Sequence, residues 1–93
     1  MSGVKFPLGN VYATPGCLEA LRQSGDELLP YLIRHVACDW GEVGKEDWNA
    51  NEESLRIGER LLSAYTTSDG QTRFWIITER DRSATTALLP SEY

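Results

Sequence analysis

The sequence predicts a single α+β domain, with three N-terminal helices packed on a C-terminal three-stranded antiparallel β-meander. Two observations carry this. The apolar residues recur every three to four positions through the first two-thirds of the chain and every second position in the last third. Between two of the alternating segments stands Ser68-Asp69-Gly70-Gln71, whose Asp-Gly pair is a strong hairpin signal because it tolerates positive φ. No internal repeat, low-complexity tract or Pro/Ser-rich linker divides the 93 residues, so the domain is expected to span 1–93.

The elements follow in order. Phe6–Ala13 reads as an irregular lead-in, with Gly9–Ala13 a candidate extra edge strand. Thr14-Pro15-Gly16 then starts a helix over about 14–25. Thr14 can cap through its hydroxyl, and Pro15 at the first helical position loses no needed N–H. Leu18 and Leu21 form its expected buried stripe, and Gly25 stops it. A second helix is predicted over about 27–40, with Pro30 in its first turn. Leu29, Leu32, Ile33, Val36, Ala37 and Trp40 make its apolar face, and Tyr31, Arg34, His35 and Asp39 lie towards flank or solvent. The third helix, about 47–57, is anchored thinly by Trp48, Leu55 and Ile57. Asp47 or Asn49 is its expected cap, the latter with Glu52 in capping-box spacing, and Gly58 its stop.

Strands are predicted at about 60–67, 72–79 and 84–89. Counting outward from Asp69-Gly70 sets Tyr65 opposite Phe74, Ala64 opposite Trp75, Leu62 opposite Ile77 and Arg60 opposite Glu79, the last as an ion pair. Glu79–Ser83 makes a polar turn, and Pro90 ends the last strand.

Composition excludes several classes of function. Fourteen acidic residues against nine basic ones give a net charge of −5, the wrong balance for a general nucleic-acid coat. Three Trp, four Tyr and two Phe argue against disorder. No apolar run reaches the roughly 18 residues of a membrane span. Met1-Ser2-Gly3-Val4-Lys5 offers no apolar signal core, so a cytoplasmic location is expected. Cys17 and Cys38 form no C-x-x-C pair and fall in helical patterns, where they read as small buried hydrophobes.

Three stretches, FPLGNVYATPGCLEAL, ESLRIGERLLSAYTTSDG and FWIITERDRSATTALLPSEY, resemble a group of small uncharacterised proteins encoded on plasmids, prophages and integrated elements of proteobacteria. The resemblance implies a bacterial, cytoplasmic, mobile-element setting and carries no activity or active site with it. The layout of helices followed by antiparallel sheet is also similar to that of the small ribonuclease toxins of toxin–antitoxin pairs. Those toxins are usually basic, whereas this chain is acidic.

The chemical candidates are few. In the toxin reading Glu79 would be the general base and Arg80 or Arg82 would hold the phosphate, although a solvated turn is the commoner form of such a cluster. Tyr31, His35 and Asp39 share i,i+4 spacing on the predicted second helix, and His35 with Cys38 and Cys17 could approach a metal. Zinc generally needs three or four good ligands, so no metal and no cofactor is expected. No phosphate-cradling loop exists, and Ser63 and Thr67 lack a nucleophile-elbow context.

The densest charge lies in residues 39–59, where seven acids face two bases. This segment carries Trp40 and Trp48. It is either a solvated face with both indoles turned inward, or a surface that docks a basic protein partner. The second alternative makes the chain a non-enzymatic binding or regulatory module, with Trp48, Glu52, Glu53, Glu46 and Asp47 in the contact. Strand 84–89, read as an edge, is a candidate for pairing with its twin in a homodimer.

Overall fold

In the computed structural model, which describes residues 3–93, the first regular element is a strand, β1 (Asn10–Ala13). Thr14 converts it at once into helix α1 (Pro15–Ser24). Its hydroxyl accepts from the Cys17 N–H, Pro15 takes the first helical position, and Gly25 closes the helix in the left-handed region. Cys17 and Leu21, one helical turn apart, are buried; Leu18, expected inside, is 52% exposed.

Helix α2 (Leu29–Val36) is shorter than the predicted 27–40 and turned by a different face. Its buried residues are Leu32, His35 and Val36, while Leu29 and Ile33 are exposed. The helix stops not at Gly41 but at Cys38, whose φ is 66°. The Cys38 N–H donates to His35 O and the Asp39 N–H to Arg34 O, the bonding pattern of a left-handed helix cap. Asp39 therefore lies outside the helix, and the expected Tyr31–His35–Asp39 face does not form.

Helix α3 (Lys45–Ile57) begins two residues earlier than 47, with Gly44 as N-cap and no side-chain cap. Asp47 and Asn49 sit inside it, so the capping box is absent. Glu46 and Asp47 instead place negative charge in the first turn, where the helix dipole favours it.

The hairpin of β2 (Leu61–Thr66) and β3 (Arg73–Thr78) has the predicted register, including Tyr65 opposite Phe74 and Leu62 opposite Ile77. Its loop is longer than two residues: Thr67 and Thr72 still bond, and Gly70 donates back to Thr67 O. A loop lengthened equally on both sides of Asp69-Gly70 leaves the register unchanged, which is why the counting succeeds. β4 (Ala84–Leu88) completes the meander, and Pro90–Glu92 forms a single 3-10 turn.

The sheet is nevertheless four-stranded and mixed, in the order β1-β4-β3-β2, because β1 adds to β4 in parallel. β4 is thus an interior strand. A homodimer through 84–89 is excluded in this arrangement, since both edges of that strand are occupied.

One face of the sheet bears Leu61, Ser63, Tyr65, Phe74, Ile76, Thr78, Thr85 and Ala87, all buried. Against it pack Cys17 and Leu21 of α1 and Leu32 of α2. A second cluster, Phe6, Val36, Trp40 and Leu61, is flanked by Trp48 and Leu55 of α3. The opposite face carries Leu62, Ala64, Trp75, Ile77 and Leu88.

Gly41 is where the connection from α2 meets β2. It bridges Ala64 in parallel with φ 76°, and a Cβ there would lie 2.1 Å from Ala64 O. Gly44 has an ordinary φ of −68° and open space around it. Gly41→Ala is expected to lower unfolding free energy by at least ~2 kcal/mol, and Gly44→Ala to change it by under ~1 kcal/mol, measured by urea denaturation.

Candidate functional site

His35 enters the core on α2 and meets two hydroxyls from two strands, the second of which passes the chain to a third strand. Its Nδ1 lies 2.5 Å from Ser63 Oγ and its Nε2 2.9 Å from Thr78 Oγ1. Thr78 Oγ1 in turn lies 2.8 Å from Thr85 Oγ1, which is 2.7 Å from the Leu8 carbonyl oxygen. That oxygen can only accept, so the direction of the chain is determined as far as the imidazole, and the neutrality of the buried ring sets the last bond. Thr85 donates to Leu8 O, Thr78 donates to Thr85, His35 Nε2–H donates to Thr78, and Ser63 donates to the bare Nδ1. The imidazole is neutral and saturated. Burial, and secondarily the Arg82 charge, lower its pKa to about 4. Phe6 and Trp40 pack edge-on against the ring.

This constellation resembles a nucleophile–base pair only on paper. His35, Ser63, Thr78 and Thr85 are all at 0% exposure, so no substrate reaches Ser63 and the network is a structural tie. Both ring nitrogens are engaged, leaving none to ligate a metal with Cys17 or Cys38. Cys17 is buried with its thiol pushed up to about 11 by burial, and Cys38 is half-buried, also raised by burial. Among the described residues no group of three His, Cys, Asp or Glu side chains could hold a metal ion.

The open site lies on the other side of the sheet. α3 runs beside β2, and Asn51 ties the two: its side-chain amide donates to Leu62 O at 2.7 Å and its Oδ1 accepts from Leu62 N at 3.1 Å. Beyond that tie the helix leaves a cleft of about 450 Å³. Leu62, Ala64 and the half-buried Trp75 form its floor, with Asp47 and Ala50 on the helix wall, Arg73 from β3 and Arg60 just ahead of β2. Arg60 donates to the Tyr93 hydroxyl and Arg73 to the Glu42 carbonyl. Neither is among the four ion pairs of the described residues, although the chain carries an excess of acids.

The residues singled out from sequence distribute unevenly around this cleft. Asp47 lines it; Glu46 is exposed beside it. Trp48 is half-buried against the Phe6–Trp40 cluster, and Trp40 is wholly buried with its Nε1–H donating to Glu52 at 2.7 Å. The indoles are turned inward, and Glu52 satisfies one of them. Glu53 pairs with Arg56 on the surface.

Around the Glu79 turn the three candidate groups diverge. Arg82 bends back to donate to Glu59 O at 2.6 Å and Ser54 O at 3.4 Å, closing the C-terminal end of α3. Arg80 lies 3.7 Å from Glu59, and Glu79 is exposed. The expected Arg60–Glu79 ion pair is absent, because Arg60 stacks near Tyr93 instead. Trp75, Arg60 and Arg73 were missed as site residues. Alternation puts Trp75 on the face away from α1 and α2, but nothing local shows that the third helix leaves that face open.

No family model, curated protein or solved structure matches the chain.

The neutral His35 makes stability depend on pH with a definite sign. Unfolded, the imidazole titrates near 6.5; folded, near 4. Protons therefore bind the unfolded chain first as pH falls, and stability declines from 6.5 downward until the folded pKa is reached. The loss amounts to about 2 kcal/mol between pH 6.5 and 5, above the range in which the hydrogen-bonded carboxylates protonate. His35→Gln is expected to be less stable at pH 7 and to show a flat profile across that interval in urea titrations.

Proposed function

We propose that the protein is a non-catalytic binding module that engages a protein partner along α3, with the acidic first turn of the helix steering association and the adjoining cleft receiving an apolar side chain. The observation that supports this reading is the cleft itself, which combines an exposed part of Trp75 with charged groups that lack ion-pair partners. Aromatic residues and arginines are the side chains most often dominant in protein interfaces, and Trp75, Arg60 and Arg73 all line the cleft. Glu46 and Asp47 give the helix rim the sign that attracts a basic surface. The mobile-element setting suggested by the resemblance is part of the same proposal, with the partner a protein of the bacterial host.

A ribonuclease role gains no support from the arrangement of Glu79, Arg80 and Arg82. Arg82 is committed to backbone carbonyls, and the buried His35–Ser63 pair has no route to substrate.

The structure also changes which acids make a clean test. Replacing Glu52 removes the acceptor of a buried indole N–H and costs about 1–3 kcal/mol of stability. Glu46 and Asp47 hold no side-chain ion pair among the described residues. Glu46→Lys with Asp47→Lys is therefore expected to lower stability by only about 1 kcal/mol, through the helix dipole. The same double variant should abolish stoichiometric, nuclease-resistant capture of a partner from bacterial host extract by the tagged protein. Equal capture by the double variant, or capture that vanishes on nuclease treatment, overturns the reading.

A further inference from the structure

The two edges of the sheet are treated differently. On β2, the outward N–H and C=O of Leu62 are both bonded by Asn51. The Ala64 N–H donates to Trp40 O at 3.1 Å, and its carbonyl accepts from the Glu42 N–H at 2.7 Å. At Leu62 and Ala64 that edge is sealed. On β1, the Asn10 N–H donates to Ser83 O and the Thr14 N–H to Ala87 O, so the even-numbered residues aim their amides at β4. Those of Val11 and Ala13 point the other way, and among the described residues nothing bonds them.

The geometry points to a homodimer formed by antiparallel pairing of β1 with β1 of a second copy, joining the two sheets into one continuous sheet. Three features select a second copy as the occupant. First, the strand is self-complementary. With Val11 opposite the partner's Ala13, and Ala13 opposite the partner's Val11, every outward amide and carbonyl of both strands is matched. Tyr12 then meets the partner's Tyr12 on the two-fold axis as a non-hydrogen-bonded pair, where cross-strand side chains approach closest.

Second, the register has no rival. A two-residue shift one way sets an outward residue against Gly9, whose φ of 67° ends the extended backbone; a shift the other way sets one against Pro15, which has no N–H. Third, the edge is uncharged. Phe6–Leu18 holds no Asp, Glu, Lys or Arg in a chain that is 25% charged, so two copies with net charge −5 meet where their repulsion is least. Glu92, the acid next to this edge, has its carboxylate bonded by the Thr14 hydroxyl and by the N–H groups of Gly16 and Leu89. The exposed apolar side chains on and just after the strand are Val11 at 43%, Tyr12 at 54% and Leu18 at 52%. The charges and Pro with which natural edge strands commonly avoid pairing are absent from β1.

The test is sedimentation velocity on the whole protein combined with cross-linking across the axis. The wild type is expected to sediment as a dimer at tens of micromolar. Tyr12→Glu, which sets two like charges face to face, should weaken the dimer at least tenfold with an unchanged circular dichroism spectrum. Val11→Pro removes only an outward N–H and should do the same. Tyr12→Cys should form an interchain disulfide rapidly under mild oxidation, and Asn10→Cys, which faces Thr14 of the partner subunit in this register, should not. A wild type that stays monomeric, a dimer indifferent to Tyr12→Glu, or cross-linking through Asn10→Cys and not Tyr12→Cys would each overturn the inference.

Discussion

The fold is organised around one buried imidazole. His35 stands on α2, yet its two nitrogens bond β2 and β3, and the relay continues through β4 to the chain ahead of β1. Five segments are thereby tied in one hydrogen-bonded line through an otherwise apolar interior. Such a line is stable only if every member is satisfied, because each unpaired group in a low-dielectric core carries its full desolvation penalty. Here no buried side-chain nitrogen or oxygen of the described residues lacks a partner. The relay thus fixes the rotation of α2 about its axis. Turning the helix to bury Leu29 and Ile33 would pull His35 from Ser63 and Thr78, taking from the first hydroxyl its acceptor and from the second its donor.

From that constraint the surrounding packing follows. With His35 inward, Val36 and Trp40 face Phe6, and the segment leading to β1 is held across them. The Lys5 N–H donates to Val36 O, and the Arg82 guanidinium lies over the Phe6 ring. Arg82 also reaches the carbonyls at the end of α3, so one side chain links the β3–β4 turn, the N-terminal lead-in and the third helix. Its backbone is in the left-handed region at φ 60°, an unfavoured conformation outweighed by four carbonyl contacts from the guanidinium. Gly9, beside it, has no room for a Cβ: one would lie 2.4 Å from Ser83 O.

Local signals in the sequence carried the α+β class, the three helices, the Thr14–Pro15 start and the hairpin register. They are statements about neighbours in the chain, and capping, turn chemistry and strand alternation depend on little else. What they did not carry is long-range. β1 is legible as a candidate edge strand over 9–13, but its parallel pairing with β4 depends on a contact more than seventy positions away. Hydropathy ranks Leu29 and Ile33 above His35 for the buried face of α2, whereas two hydroxyls waiting on the sheet reverse that ranking. The acidic segment was legible as charge and not as architecture. Trp40 and Glu52 are twelve residues apart, and only the folded chain shows one satisfying the other.

The same long-range arrangement closes some backbone edges and leaves others open. At the β2 edge, an asparagine from α3 and the 40–42 segment occupy the outward backbone groups of Leu62 and Ala64, so strand addition is blocked beside the cleft. An occupant of the cleft must therefore be recognised by side chains: the Trp75 floor, the two arginines and the acidic rim. At β1 the reverse holds. The strand offers unbonded outward amides at Val11 and Ala13 and an uncharged sequence, which suits recognition by hydrogen-bond register. The two surfaces lie at opposite ends of the strand order, so pairing at one leaves the other open. A dimer built through β1 would carry two clefts, and a partner presenting two matching segments would gain avidity from both without any new contact within either.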